Sequence, residues 1–295
     1  MNTQSRRAFL KNSSLALATA TLTPLTLRAA EVAPKKRALK KAIMWDTIGY
    51  KGSVLEKFRA LKEAGFEGVE PSSHMNQDEV VRAFEETGLK AASVCGSQHW
   101  GKPLSHPDEK VRAAGLEALK HTIRDAKRYG ATSVLLVPGV VNKEVTYEQC
   151  WERSIAGIRA TLPLCEETGV KIAIENVWNN FIMKPEQAKD YLDAINSPWV
   201  GWHFDIGNMI KYAPSEEWIK VIGKRILKLH IKEYSIAKGF GVKFFEGDNH
   251  WPAIMTELDN CGYTGWGISE QPGGQTKDAD SLKDFAARMD KIFAS

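Results

Sequence analysis

Glu175, Asp205, His230 and Glu270 each close an apolar, strand-like run: Lys171-Ile-Ala-Ile-Glu175, Val200-Gly-Trp-His-Phe-Asp205, Ile226-Leu-Lys-Leu-His230 and Gly265-Trp-Gly-Ile-Ser-Glu270. Three carboxylates and one imidazole offer mostly oxygen donors. That set suits one divalent ion, Mn²⁺, Mg²⁺ or Co²⁺ rather than Zn²⁺. A lone Glu or His at a strand end commonly does no more than pair a charge. Four of compatible type at successive run ends point to a shared ion, provided the fold brings the run ends together.

The elements that must do so alternate strictly along the chain. Strand patterns fall at 41–48, 66–71, 90–98, 133–138, 171–176, 200–206, 226–232 and 265–271, and helical patterns at 53–64, 77–87, 108–129, 146–168, 185–195, 214–223, 251–260 and 278–293. Ala64-Gly65 and Thr87-Gly88 mark helix ends, and Pro185 and Pro214 mark helix starts. Eight βα units joined by short turns predict an α/β fold, a single (β/α)8 TIM barrel whose site lies at the C-terminal ends of the strands. An open doubly wound sheet is the alternative, but no glycine-rich nucleotide loop follows the first strand.

The N-terminus reads differently. Ser5-Arg-Arg-Ala-Phe-Leu-Lys11 and the uncharged stretch 12–27 form the pattern of a twin-arginine export signal over residues 1–30, with a tether over 31–40 and the barrel over 41–295. The apolar stretch is short for a membrane span, so no stable membrane insertion is expected beyond the signal. Residues 1–30 carry four of the forty basic residues and none of the thirty-six acidic ones, so the mature chain is formally neutral. The basic balance belongs to the signal and gives no reason to expect a nucleic-acid partner. Cys95, Cys150, Cys165 and Cys261 are widely spaced and are expected as buried free thiols.

Ile-Ala-Ile-Glu175-Asn176, His203-Phe-Asp205-Ile-Gly-Asn208, Leu-His230-Ile-Lys232-Glu and Ile-Ser-Glu270-Gln resemble the strand-end motifs of the xylose isomerase-like barrel family, in its sugar and sugar-phosphate isomerase/epimerase branch. Gly68-Val-Glu70 resembles that branch's second strand, and Gly247-Asp-Asn-His-Trp251-Pro252-Ala-Ile the segment before its last helix. The resemblance implies one divalent cation on Glu175, Asp205, His230 and Glu270, with Glu175 and Glu270 relaying protons on opposite faces of the substrate. Such a cation acidifies the hydrogen beside a ketose carbonyl and stabilises the enediolate that follows. Returning the proton to the same carbon epimerises, and returning it to the neighbouring carbon isomerises.

Further rim residues are candidate substrate contacts. His203 and Lys232 lie two residues from Asp205 and His230 on the same strands, hence on the same faces. His99 and Trp100 end the third strand, where an indole can stack on a sugar. Glu70 joins this group through the resemblance. Trp178 and Phe181 follow Glu175 closely enough to wall a pocket, whereas His74, His250 and Trp251 fit capping or packing roles better.

The family's free-ketose 3-epimerases resemble a pattern with a second Glu six residues past the first ligand and a His three past the Asp. Here Phe181 and Asn208 stand there. Export also argues against a phosphorylated, cytoplasmic substrate. The leading expectation is therefore an isomerase or epimerase acting on an unphosphorylated small carbohydrate or keto-sugar. A lyase or dehydratase on a keto-glycoside and a non-catalytic carbohydrate-binding barrel are the alternatives. An endonuclease is remote, because it needs a metal cluster and a basic groove. A homo-oligomer is compatible with all of these.

Overall fold

A computed structural model of the chain describes residues 37–295. The expected export signal, 1–30, and residues 31–36 of the expected tether lie outside the described residues. From Arg37 onward the chain is docked. The Arg37 guanidinium pairs with Asp259 at 3.0 Å and donates to the carbonyls of Phe293 and Ser295.

Among the described residues nine parallel strands occur, with a helix between successive ones except β3 and β4: β1 (Lys40–Met44), β2 (Gly68–Glu70), β3 (Lys90–Ala91), β4 (Val94–Cys95), β5 (Ser133–Leu136), β6 (Lys171–Glu175), β7 (Val200–Asp205), β8 (Ile226–Ile231) and β9 (Trp266–Ser269). Their order, β3-β2-β1-β9-β8-β7-β6-β5-β4, makes the two ends of the sheet consecutive pieces of one chain segment. The count is nine and not eight because the expected third strand, 90–98, is broken at Ala92-Ser93 into β3 and β4. The Cys95 N–H donates to the Pro71 carbonyl at 2.9 Å and the Ser73 N–H to the Cys95 carbonyl at 2.8 Å, which all but closes the barrel. The TIM barrel is as expected.

The helices between strands are α1 (Val54–Glu63), α2 (Gln77–Thr87), α3 (Glu109–Tyr129), α4 (Tyr147–Arg159), α5 (Leu162–Thr168), α6 (Pro185–Ile195), α7 (Ile206–Met209), α8 (Ser215–Ile222), α9 (Trp251–Asn260) and α10 (Ala279–Ala294). One helix was expected over 146–168. It is two, because Pro163 lacks an N–H and its ring crowds the carbonyl four residues back, so the helix restarts with proline in its first turn. No helix among the described residues is long and apolar enough to cross a membrane.

Two apolar layers follow from period-two alternation. Outward residues such as Ile172, Ile174, Trp202, Phe204, Leu229 and Ile231 pack beneath the helices in the main core. Inside the barrel the apolar clusters are small, Ala42, Ala92 and Ile268 in one and Cys95, Leu135, Val137 and Val177 in another. The remaining interior is polar and fully buried, and includes Glu70, His203, Asp205 and His230. All four cysteines are free; three are buried and Cys261 is half-buried.

Candidate metal centre and cleft

Parallel pairing sets Glu175 beside His203 and Asp205 beside His230. The second pairing depends on a register shift opposite Trp202-His203, where β8 carries one extra residue, Leu227. Trp202 pairs with Ile226, yet His203 pairs with Lys228, one residue further along β8. Without that extra residue, Asp205 would face Leu229 and the two polar side chains would point to opposite sides of the sheet. Asn176 secures the strand ends. Its Oδ1 accepts from the Trp202 indole at 2.8 Å and the Asp205 N–H at 3.1 Å, and its Nδ2 donates to the Asp205 carbonyl at 2.7 Å.

The structure brings Glu175, Asp205, His230 and Glu270 together, one ligand atom from each lying within 4.8 Å of the others. His230 Nδ1 is 2.8 Å from Glu175 Oε1, 3.1 Å from Glu270 Oε2 and 3.9 Å from Asp205 Oδ2. Its other nitrogen, Nε2, is 2.9 Å from Glu70 Oε2. Glu270 follows β9 and is the partly exposed member, while the other three are buried. Lys232 Nζ bridges Glu270 Oε2 at 2.8 Å and Asp205 Oδ2 at 3.3 Å.

These residues fit a divalent cation. Bonds of about 2.1 Å place ligand atoms roughly 3 to 4.2 Å apart around an ion, close to the spacings seen here. The Glu70 contact holds the His230 proton on Nε2 and leaves Nδ1 to face the three carboxylates. A metal-bound histidine ordinarily has such a partner behind it.

The electrostatics are divided. Burial pushes Glu175 up and Asp205 well up from ordinary carboxylate values. Burial also acts on Glu270, but Lys232 and His230 outweigh it and hold that carboxyl well below the usual range. For His230, burial favours the neutral ring, and the Glu70 and Glu270 carboxylates override it to raise the imidazole well above its usual value. Lys232 is raised in turn by Asp205 and Glu270, against the effect of burial.

The quartet opens into a cleft of about 400 Å³ lined by Glu175, Glu270, Lys232, His99, Trp100 and Trp178 among others. Trp100 and Trp178 are 53% and 40% exposed at the mouth, with Lys211 Nζ 4.4 Å over the Trp178 ring. The Trp178 Nε1 donates to the Asn208 carbonyl at 2.6 Å, and its ring sits 5.1 Å from Phe240. Burial lowers His99 to about 4, so its ring is neutral, with Nδ1 accepting from the Val137 N–H at 3.4 Å.

Several expected contacts lie elsewhere. Glu70 and His203, read as substrate contacts, are fully buried beneath the quartet, where the His203 ring packs edge-on to His230 at 4.1 Å. Both face inward on their strands, but below the layer that reaches the cleft. Phe181 is not a pocket wall. It is buried with Tyr147, Trp151 and Tyr191 between α4 and α6. Trp251 is packed, its indole donating to Glu233. Two cleft residues were missed: Phe240 lies in an irregular segment with no periodicity to give it a direction, and Asp46 falls in the expected strand 41–48, which instead ends at Met44 and turns into a 3-10 helix over Trp45–Thr47; Asp46 accepts from the Ser72 hydroxyl at 2.6 Å.

Residues 58–291 match the xylose isomerase-like TIM barrel family, and the chain belongs to it. Over 225 residues it is 26% identical to the L-ribulose-5-phosphate 3-epimerase of Escherichia coli K12, covering 72% of this chain and 79% of that protein. Its fold is similar to that of a 3-keto-D-glucoside 4-epimerase from E. coli, with a TM-score of 0.74 at 17% identity over 86% of this chain and 98% of that one. A D-psicose 3-epimerase gives a TM-score of 0.74 at 15% identity over 87% and 100% of the two chains. At such identities the structural likeness speaks for the fold alone.

Proposed function

We propose that this protein is a metal-dependent sugar epimerase, with Glu175, Asp205, His230 and Glu270 holding one divalent ion, Mn²⁺, Mg²⁺ or Co²⁺ in preference to Zn²⁺. The observation that carries this reading is His230, tied through Nε2 to Glu70 and aimed through Nδ1 at three carboxylates on the cleft floor. The relatives named by activity above are epimerases, which leaves the lyase and the non-catalytic barrel without support of their own. A bound ion supplies a Lewis acid that polarises a ketose carbonyl and its neighbouring hydroxyl, acidifying the hydrogen on the carbon between them.

The side chains divide the proton work. Glu270, held in its charged form by Lys232, takes the proton from the carbon beside the carbonyl. Glu175, across the site, returns one to the opposite face. Lys232 neutralises charge on the Glu270 side, and His99 offers a neutral ring to a sugar hydroxyl. Trp100 and Trp178 give the sugar apolar faces.

The cleft favours an uncharged sugar. Among the described residues Lys232 is the one Lys or Arg lining it, and it is already engaged by Glu270 and Asp205. That lining offers a phosphate dianion no uncommitted Lys or Arg, which supports a free ketose or keto-glycoside as substrate, in contrast to the phosphorylated substrate in the name of the E. coli relative. The Arg6-Arg7 pair ahead of the apolar stretch supports twin-arginine export, which a periplasmic-fraction blot of the native chain checks. The decisive assay follows solvent deuterium entering the carbon beside the carbonyl across ketoses and keto-glycosides in the presence of Mn²⁺. No exchange with any of them would sink the epimerase reading.

A further inference from the structure

A second group of metal-ligating side chains lies outside the quartet. His121 and Asp125 are one turn apart on α3, so their side chains share a face, with His121 Nε2 3.3 Å from Asp125 Oδ1. His74, in the loop after β2, crosses to them, and its ring stacks on His121 at 4.2 Å and 22°. One ligand atom from each of the three lies within 4.8 Å of the others.

Three features give this cluster the character of a cation site. Asp125 is fully buried, and among the described residues the ion pair found for it is with His121. Nearby Arg128 turns away, to Gln77 and Asp78. Asp125 accepts from the His74 N–H at 3.0 Å and from the Gln77 amide, which leaves lone pairs for an ion, since a carboxylate has about four acceptor positions. His74 has a φ of 66°, a left-handed conformation that non-glycine residues seldom adopt, and its imidazole lies over His121. The Ser73 hydroxyl takes His74 Nδ1 at 2.8 Å, leaving Nε2 to ligate.

We propose that His74, His121 and Asp125 bind a divalent transition metal of the Zn²⁺ class, two imidazoles and one carboxylate being a donor set such ions favour, with solvent at the remaining position. The ion would clamp the loop after β2 onto α3. That loop reaches the cleft wall through Ser97, whose N–H donates to Ser73 Oγ and whose hydroxyl donates to the Ser73 carbonyl, both at 3.0 Å.

Zn²⁺ titration of the chelator-stripped full chain by calorimetry tests this, with variants that separate the two centres. Wild type is expected to take two equivalents, Asp205→Asn one and His121→Asn one, with the double variant taking none. Cu²⁺ bound to Asp205→Asn is expected to show nitrogen splitting from two imidazoles, falling to one in Asp205→Asn/His74→Asn. Asparagine tolerates the left-handed backbone, so this second variant tests the site even if His121→Asn folds poorly. Unchanged Zn²⁺ stoichiometry in both histidine variants would overturn the site, as would a single wild-type equivalent that Asp205→Asn removes entirely. The equivalent lost in Asp205→Asn reports the quartet and that lost in His121→Asn reports this cluster, so one can fail without the other.

Discussion

His230 Nε2 lies 2.9 Å from Glu70 Oε2, and this contact decides which imidazole nitrogen faces the cleft. With the Nε2 proton donated to Glu70, Nδ1 faces Glu175, Asp205 and Glu270; it carries a proton toward those carboxylates in the metal-free protein and ligates once an ion displaces it. Glu70 acts through His230, as a positioning residue.

Glu70→Gln keeps the shape and weakens the charge behind the imidazole. The expected result is a 10- to 100-fold loss of Mn²⁺ affinity, the usual range for a ligand's supporting carboxylate, with turnover restored at saturating metal. Calorimetric titration alongside kcat against Mn²⁺ concentration checks it. Unchanged affinity would assign Glu70 a packing role.

Glu270→Gln removes both a donor oxygen and the proposed base. Loss of a general base costs about 10²- to 10⁴-fold, and lost metal affinity adds to that. Deuterium exchange at saturating Mn²⁺ should therefore fall at least 100-fold. Activity near wild type would refute the assignment.

In metal-free protein, Glu175, Asp205 and His230 all have folded-state values raised above 4.5, 3.8 and 6.5. The folded chain then binds more protons than the unfolded chain. A raised folded pKa gives stability that is complete below the unfolded value and is lost as pH rises through the folded one. Glu270, held low, works the other way, contributing above 4.5 and losing its contribution on acidification. From pH 7 upward the His230 loss governs. Melting of EDTA-treated protein should fall over that range, while Mn²⁺-loaded protein, with the Nδ1 proton displaced, should be flatter. Parallel curves would contradict this account.

Trp178→Ala removes the indole at the cleft mouth but no proposed ligand. A stacking face contributes about 1 kcal/mol, so KM should rise roughly fivefold with kcat within a factor of two. A collapse of kcat would place Trp178 in the chemistry.

Much of this was written locally. The quartet's residue types, the alternation of strand and helix and the punctuation by Gly and Pro gave barrel and candidate ligands together, because each depends on a period of two or 3.6 residues. Alternation also set His203 on the same face as Asp205. It carries no measure of depth along a strand, so it could not separate a side chain that reaches the cleft from one buried beneath it.

By itself the sequence determined that Glu175, Asp205, His230 and Glu270 end successive strands of one barrel. Only the tertiary structure decided that they meet. The extra residue on β8 opposite Trp202-His203 shifts β7 by one residue against β8, and period-two geometry turns that shift into Asp205 facing His230 instead of Leu229. Glu70, 160 residues from His230 along the chain, reaches it because the barrel brings β2 and β8 to one interior. Neither contact has a local pattern, since both arise from strands paired across distant parts of the chain.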